Sequence, residues 1–109
     1  MNLIKEKSGD YCIVTIDGRI DSSNSPAFLA EIYQIVNSGE KNIILNCSGL
    51  NYISSSGLRV FLVAQKNTIS MHGKLLICNL QPAIKEVFVI SGFSTIFRLF
   101  DTQEEALEY

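Results

Sequence analysis

Hydrophobic residues in this chain alternate between short continuous runs and longer stretches with helical spacing. Residues 11–16, 42–47 and 74–78 are rich in β-branched and apolar side chains, which is typical of strands. The run 42–47 is almost wholly apolar, which predicts burial on both faces of a sheet. Two stretches between these runs have apolar residues at helical spacing: Phe28, Leu29, Ile32, Ile35 and Val36, then Leu58, Phe61 and Leu62.

Turn and capping residues mark the boundaries of the first half of the chain. Residues 8–10 predict a turn that joins a first strand around Leu3 and Ile4 to the strand 11–16, which Asp17-Gly18 closes. The polar stretch 21–25 followed by Pro26 predicts the start of a helix. A further turn is predicted at 48–51, directly after the strand 42–47.

The second half repeats this pattern. The second helix is predicted to end at His72-Gly73, and a third helix to run from Pro82 to the Ser91-Gly92 pair. A short strand is expected at 96–98. Asp101 and Thr102 predict the cap of a last helix at 103–107, whose early acidic residues suit the helix dipole.

The resulting order is β-β-α-β-α-β-α-β-α, within a single domain spanning 1–109. Strands that alternate with helices predict an α/β fold with parallel pairing, plus an antiparallel piece near the start. We therefore expect a mostly parallel, mixed sheet of four to five strands packed against about four helices.

Composition narrows the classes of function. Apolar residues make up 47% and charged residues 18%, which suits a folded protein. The net charge of -2 gives no reason to expect binding to nucleic acid or anionic membrane. No apolar run is long enough to span a bilayer, and residues 1–7 do not resemble a signal peptide. We expect a cytoplasmic protein.

The cysteines and the histidine give no indication of a metal site. Cys12, Cys47 and Cys78 are far apart and each lies in or beside an apolar run, so we expect buried, reduced thiols. His72 has no partner at ligand spacing. We expect neither a metal nor a cofactor.

Enzyme activity has little support in the sequence. Ser55 is not in a G-x-S-x-G motif, and His72 lies beyond the following helix. Gly57 does not belong to a phosphate-binding loop motif. A hydrolase that uses Ser55 would need a base close to it, so a binding protein is the better hypothesis.

The run Ser54-Ser55-Ser56 before Gly57 is the candidate site. One serine is explained as a helix N-cap, which contributes about 1 kcal/mol. The other explanation is that a phosphoryl group is added here, since a helix N-terminus tolerates negative charge. The residues alone leave both explanations open.

Three segments resemble the STAS domains of bacterial anti-sigma factor antagonists. Residues 46–58 resemble the family signature, which reads roughly L-x-x-[I/M]-D-S-[S/A/T]-G-L. Residues 17–21 resemble the G-x-[I/L]-D segment of the family. Residues 81–93 resemble its third-helix segment. The three occur in family order and at family spacing along the whole chain.

The resemblance implies a protein that switches partners. An unphosphorylated antagonist of this family binds an anti-sigma factor that is also a serine kinase, and a sigma factor is thereby released. Phosphorylation by that kinase ends the binding, and a PP2C-type phosphatase restores it. By resemblance, Ser55 is the phosphorylated residue, with Ser56 and Ser54 as weaker candidates. Ser54 departs from the family, which usually has aspartate there.

The resemblance also implies a partner-binding surface around the start of the second helix and the Asp21 loop. We assign to it Asp21, Ser22, Ser54, Ser55, Ser56, Gly57 and Arg59. We expect a monomer or a weak dimer. The alternative function is a constitutive STAS interaction subunit, a scaffold or transporter accessory component without a phosphoswitch.

Overall fold

The fold is a five-stranded sheet in which the strands lie in the same order as in the chain. The structure is a computed structural model that describes residues 1–109. The first strand pairs antiparallel with the second, and the other neighbours pair in parallel. The strands are β1 (Asn2–Ser8), β2 (Tyr11–Ile20), β3 (Asn42–Ile53), β4 (Lys74–Cys78) and β5 (Arg98–Phe100).

The helices are α1 (Ser25–Asn37), α2 (Ser55–Ser70), α3 (Pro82–Ile90) and α4 (Gln103–Leu107). The fold class and the order of elements predicted from the sequence are confirmed. No helix has the length and apolar character needed to cross a membrane.

Helices cover both faces of the sheet. The larger core joins one face to α1, α2 and α3, and the smaller core joins the other face to α4 through Ala106. In β3, Ile43, Ile44 and Leu45 are all fully buried, as their continuous apolar pattern predicts. The sheet therefore carries α2 on the face that holds the larger core.

Phe61 lies at the centre of the larger core and fixes α2 to its neighbours. Its ring is fully buried. The ring centroid lies 5.7 Å from that of Phe28 in α1 and 5.7 Å from that of Phe88 in α3. Phe97, just before β5, lies 6.4 Å away in an edge-on arrangement. Aromatic pairs at these distances add to the stability gained by burial alone.

The predicted ends of β2 and β3 are wrong. The predicted turn at 48–51 is part of β3, which continues to Ile53, and β2 continues past Gly18 to Ile20. The pairing of β2 with β3 shifts twice, and at each shift β3 contains one extra residue. The residues 48–51 that resemble a turn therefore form bulges in β3. At Gly49, a side chain would collide with the carboxylate of Asp17.

The predicted position of the last strand is also wrong, by two residues. The strand is Arg98–Phe100 and not 96–98. Residues Phe93–Thr95 form a short 3₁₀ turn, and Phe97 is buried in the larger core. The last helix is capped as predicted, because the Thr102 hydroxyl accepts the backbone N–H of Glu105.

The three cysteines are free and buried, as predicted. Burial raises the pKa of the Cys78 thiol to about 11 and raises the pKa of the Cys47 thiol further. Cys47 belongs to the larger core and Cys78 to the smaller one, so their side chains lie on opposite faces of the sheet. These thiols stay protonated at neutral pH and serve as small core residues.

Candidate functional site

The serine run lies where β3 ends and α2 begins. Ser54 connects the two elements, and its backbone N–H donates to the carbonyl of Ile20 at the end of β2 (2.9 Å). The carboxyl ends of β2 and β3 therefore meet at the first turn of α2. The loop that leaves β2 lies beside the helix start for the same reason.

Ser54 is the N-cap of α2. Its hydroxyl accepts the backbone N–H of Gly57 at 3.2 Å. Serine and aspartate are about equally good at this position. The residue that departs from the family signature therefore keeps the capping contact, while it removes a negative charge from the helix start.

Ser56 is half-buried and held by two hydroxyl groups. Its Oγ lies 2.8 Å from the Oγ of Ser54, and it accepts a hydrogen bond from the Oγ of Ser25 at 3.2 Å. Ser25 is only 6% exposed and begins α1. This contact ties the start of α1 to the start of α2.

Ser55 differs from both neighbours. It is the first residue of α2 and its side chain is exposed. Its hydroxyl takes part in none of the side-chain hydrogen bonds that hold Ser54 and Ser56. Of the three hydroxyl groups, that of Ser55 is the one open to a partner.

Asp21 organises the loop between β2 and α1. Its carboxylate accepts the N–H and the hydroxyl of Ser23 at 3.0 and 2.6 Å, and the N–H of Asn24 at 3.3 Å. The hydroxyl and backbone hydrogen bonds from Ser23 lower the pKa of the Asp21 carboxyl. At pH values above the usual aspartate pKa, the charged carboxylate therefore stabilises this loop. The stabilisation is lost as the pH falls and the carboxylate becomes protonated.

The first helix begins at Ser25, with Pro26 in its first turn, but its capping differs from the prediction. The Asn24 side chain does not cap α1. Its amide instead accepts the N–H of Asp21 and donates to the carbonyl of Arg19 (2.9 and 2.8 Å). The polar stretch therefore builds a loop that closes on itself.

Gly57 allows the close packing of the helix start against the sheet. A Cβ built on Gly57 would lie 2.7 Å from Ile20 Cγ2 and 2.9 Å from Ile53 Cγ1. Both isoleucines are buried, so neither can move away freely. This glycine keeps Ser55 close to the end of the sheet.

Arg59 is exposed one helical turn after Ser55. It lines a groove of about 200 Å³ between α1 and α2, together with Pro26 and Leu29 on α1 and Val60 on α2. Side chains of a helix lean toward its N-terminus, so Arg59 can reach the region of Ser55. A cation and an apolar groove therefore flank the exposed hydroxyl.

The structure brings the predicted site residues together on one surface. Ser54, Ser55 and Ser56 begin α2, Gly57 packs beneath them, and Arg59 lies one turn further along. The Asp21 loop adjoins them through Ser25, and Ser22 is exposed on that loop.

Sequence reasoning missed Ser25 and the pair formed by Arg19 and Tyr52. The guanidinium of Arg19 lies 4.3 Å from the centre of the exposed Tyr52 ring, and 3.8 Å separates its Nε from an Asp21 oxygen. The predicted strand ended at residue 47, so the pairing of Tyr52 with Arg19 across β2 and β3 could not be predicted. For Ser25 the signal was present, since the stretch 21–25 holds more polar residues than one cap requires.

The histidine cannot act as a base for Ser55. His72 follows α2, whose 16 residues separate it from Ser55 by about 24 Å. No carboxylate or lysine is hydrogen-bonded to the Ser55 hydroxyl either. The hydrolase hypothesis therefore lacks the geometry that it requires.

The roles of Ser54 and Ser55 can be separated by their effect on stability. We expect Ser54→Ala to lower the free energy of unfolding by about 1 kcal/mol, because the first turn of α2 loses its cap. Ser55→Ala is the matched control and should change it by less than about 0.5 kcal/mol. Urea denaturation followed by circular dichroism measures both, and equal effects of the two variants would contradict the assignment of the cap.

Known proteins show the same fold and related sequences. The family model for the STAS domain matches residues 2–106. A Bordetella bronchiseptica protein named as a candidate anti-sigma factor antagonist, BtrV, is 38% identical over 106 residues. That match covers 97% of this chain and 91% of the relative.

Two solved structures extend the likeness to the whole fold. The crystal structure of a candidate anti-sigma factor antagonist from Thermotoga maritima gives a TM-score of 0.92 at 21% identity, covering 97% of this chain and 92% of that one. The unphosphorylated form of the antagonist SpoIIAA gives a TM-score of 0.82 at 23% identity, covering 98% and 94%. The same protein has been solved in a phosphorylated form, named as a Bacillus cell fate determinant.

Proposed function

Because the chain belongs to the STAS domain family, among anti-sigma factor antagonists, we propose that phosphorylation of Ser55 controls its binding to an anti-sigma factor. The observation that carries this proposal is the state of the three hydroxyl groups at the start of α2. The Ser55 hydroxyl is exposed and makes no hydrogen bond, whereas Ser54 caps the helix and Ser56 is half-buried between two serines. A kinase therefore reaches Ser55 without disturbing the local structure.

A phosphate on Ser55 is compatible with the folded domain. The first turn of a helix offers free N–H groups and the positive end of the dipole. Arg59 lies one turn away and can pair with the phosphate, while Ser54 adds no negative charge beside it. The modification therefore changes the charge of the surface and leaves the fold intact.

The surface that a partner contacts comprises the Asp21 loop with Ser22, residues 54–57 and Arg59. The apolar groove between α1 and α2 lies beside Ser56 and supplies buried area for a partner side chain. A phosphate placed on this surface carries a charge of about -2, which a complex formed with the neutral hydroxyl cannot accommodate.

The proposed partners are an anti-sigma factor with serine kinase activity and a PP2C-type phosphatase. The nucleotide and the metal of the cycle belong to those enzymes, and this chain contributes the acceptor hydroxyl. A relative in the same fold, SpoIIAA, has structures in both unphosphorylated and phosphorylated forms. That pair supports the view that this fold carries a phosphate without unfolding.

The test uses the purified chain, ATP and a purified cognate anti-sigma factor kinase of the ATPase type. We expect one phosphoryl group by intact mass, on Ser55 by fragmentation. Ser55→Ala should abolish it, and Ser56→Ala, the matched control, should retain it. Phosphate on Ser56 alone, or on no residue of 54–56, would contradict the proposal. If no residue of 54–56 carried phosphate and partner binding were unchanged, the result would support a constitutive STAS interaction subunit.

A further inference from the structure

A second groove lies at the end of α2 that is remote from Ser55. Its volume is about 380 Å³. It forms because β5 has three residues and pairs only with residues 76–78 of β4. Lys74 and Leu75, at the start of β4, therefore have no strand beside them on that side. Gln65 and Ile69 of α2 and the segment that enters β5 surround the gap.

The basic residues of this groove have no acidic partner. Four of the nine basic side chains in the chain have a carboxylate within 4.0 Å: Lys5, Lys7, Arg19 and Lys85. Lys74 and Arg98 are among the five that do not. These two differ from the other three because they share one groove and one aromatic ring.

That shared ring is Tyr109. The Lys74 ammonium lies 5.3 Å from its centre and the Arg98 guanidinium 4.8 Å. Lys74 also lies 5.4 Å from the centre of the Tyr11 ring. Arg98 is the register partner of Leu76, and Lys74 precedes Leu76 by two residues, so both side chains project from the same face of the sheet. Two positive charges held beside one ring repel each other, and a bound anion reduces that repulsion.

Most of the remaining surface of the groove is apolar. Ile69 and Ile96 are 60% and 48% exposed, which is a large apolar area for two isoleucines on one side of a groove. The Gln65 amide donates to the carbonyl of Ile96 at 2.9 Å and so fixes one wall to the other. The groove therefore combines an apolar surface with two cations that lack an acidic partner.

We propose that this groove binds a small organic carboxylate with an apolar body. A carboxylate can take two parallel hydrogen bonds from Arg98 and the charge of Lys74, while Ile69 and Ile96 cover the apolar part. The volume lies in the range of small-molecule sites. Gln65 and Ile69 lie about 15 and 21 Å from Ser55 along α2, so the groove shares no residue with the phosphoswitch.

The test is a titration of the isotope-labelled full chain, followed by two-dimensional NMR of its backbone amides. Phenylbutyrate is the probe, phenylbutanamide is its neutral control, and acetate is the control without an apolar body. We expect saturable shifts for Gln65, Ile69, residues 73–75 and residues 96–98. Both controls should bind about tenfold more weakly or not at all, because the amide lacks the negative charge and acetate lacks the apolar body.

Variants separate this site from general charge attraction. Lys74→Gln and Arg98→Gln should each weaken phenylbutyrate binding about tenfold, because each removes a charged hydrogen-bond donor. Lys66→Gln removes an exposed cation of α2 that is not in the groove, and it should leave binding unchanged. The spectra of the free variants report whether they are folded. Absence of saturable shifts, equal binding of the amide, or an equal effect of Lys66→Gln would overturn the proposal.

Discussion

Phosphorylation of Ser55 is expected to weaken binding to the anti-sigma factor by about 100-fold or more. A phosphate that loses its water at an interface, without a partner for its charge, costs several kcal/mol. The hydroxyl of Ser55 is exposed at the first position of α2 and makes no internal hydrogen bond. An interface closed over this hydroxyl has no room for three further oxygens. Calorimetry with the homogeneous phosphorylated and unmodified proteins measures the difference directly.

Substitutions at Ser55 should reproduce part of this effect. Ser55→Ala keeps a small neutral side chain, so we expect binding within about threefold of the unmodified protein. Ser55→Asp places one charge there and should weaken binding by about tenfold, less than phosphate, whose charge is nearly twice as large. Ser70→Asp adds the same charge at the far end of α2, outside the proposed surface, and should leave binding unchanged. If the phosphorylated protein bound as tightly as the unmodified one, Ser55 would not be the switch.

Phe61→Ala is expected to lower the free energy of unfolding by about 3–5 kcal/mol, which is a large part of the stability of a small domain. Phe61 is fully buried and its ring contacts those of Phe28, Phe88 and Phe97. The substitution removes the contact that joins α1, α2 and α3, and it leaves a cavity that these rings can fill only in part.

Urea denaturation of Phe61→Ala, followed by circular dichroism, measures this loss. Lys66→Ala changes an exposed position on the same helix and should shift the free energy of unfolding by less than about 0.5 kcal/mol. Phe61→Leu keeps most of the volume and should lie between these values. A loss below about 1 kcal/mol for Phe61→Ala would show that α2 is held mainly by other contacts.

The regular parts of the fold could be predicted from local patterns. Helical spacing from Phe28 to Val36 and the apolar run at 42–47 identify α1 and β3, because each pattern repeats over several residues. The bulges of β3 could not be predicted, since they depend on pairing with β2, far away in the sequence. The position of β5 was predicted wrongly because Phe97 belongs to the core and not to the strand.

The site was predictable in its position and not in its contacts. The order of Ser54, Ser55 and Ser56 before Gly57 marks a helix start, and this is where α2 begins. The sequence could not assign a different role to each serine. That distinction depends on Ser25, which lies 31 positions before Ser56 and comes next to it only in the folded chain.

The order of strands in the sheet has a consequence for how the chain acquires its structure. Each strand pairs with the strand that precedes it in the chain, so no strand has to insert between two others. During synthesis, the hairpin of β1 and β2 can form first, and every later strand can add to the free edge already present. Contacts between neighbours in sequence close small loops, which favours rapid folding. The helix that carries Ser55 becomes anchored once β4 has emerged from the ribosome.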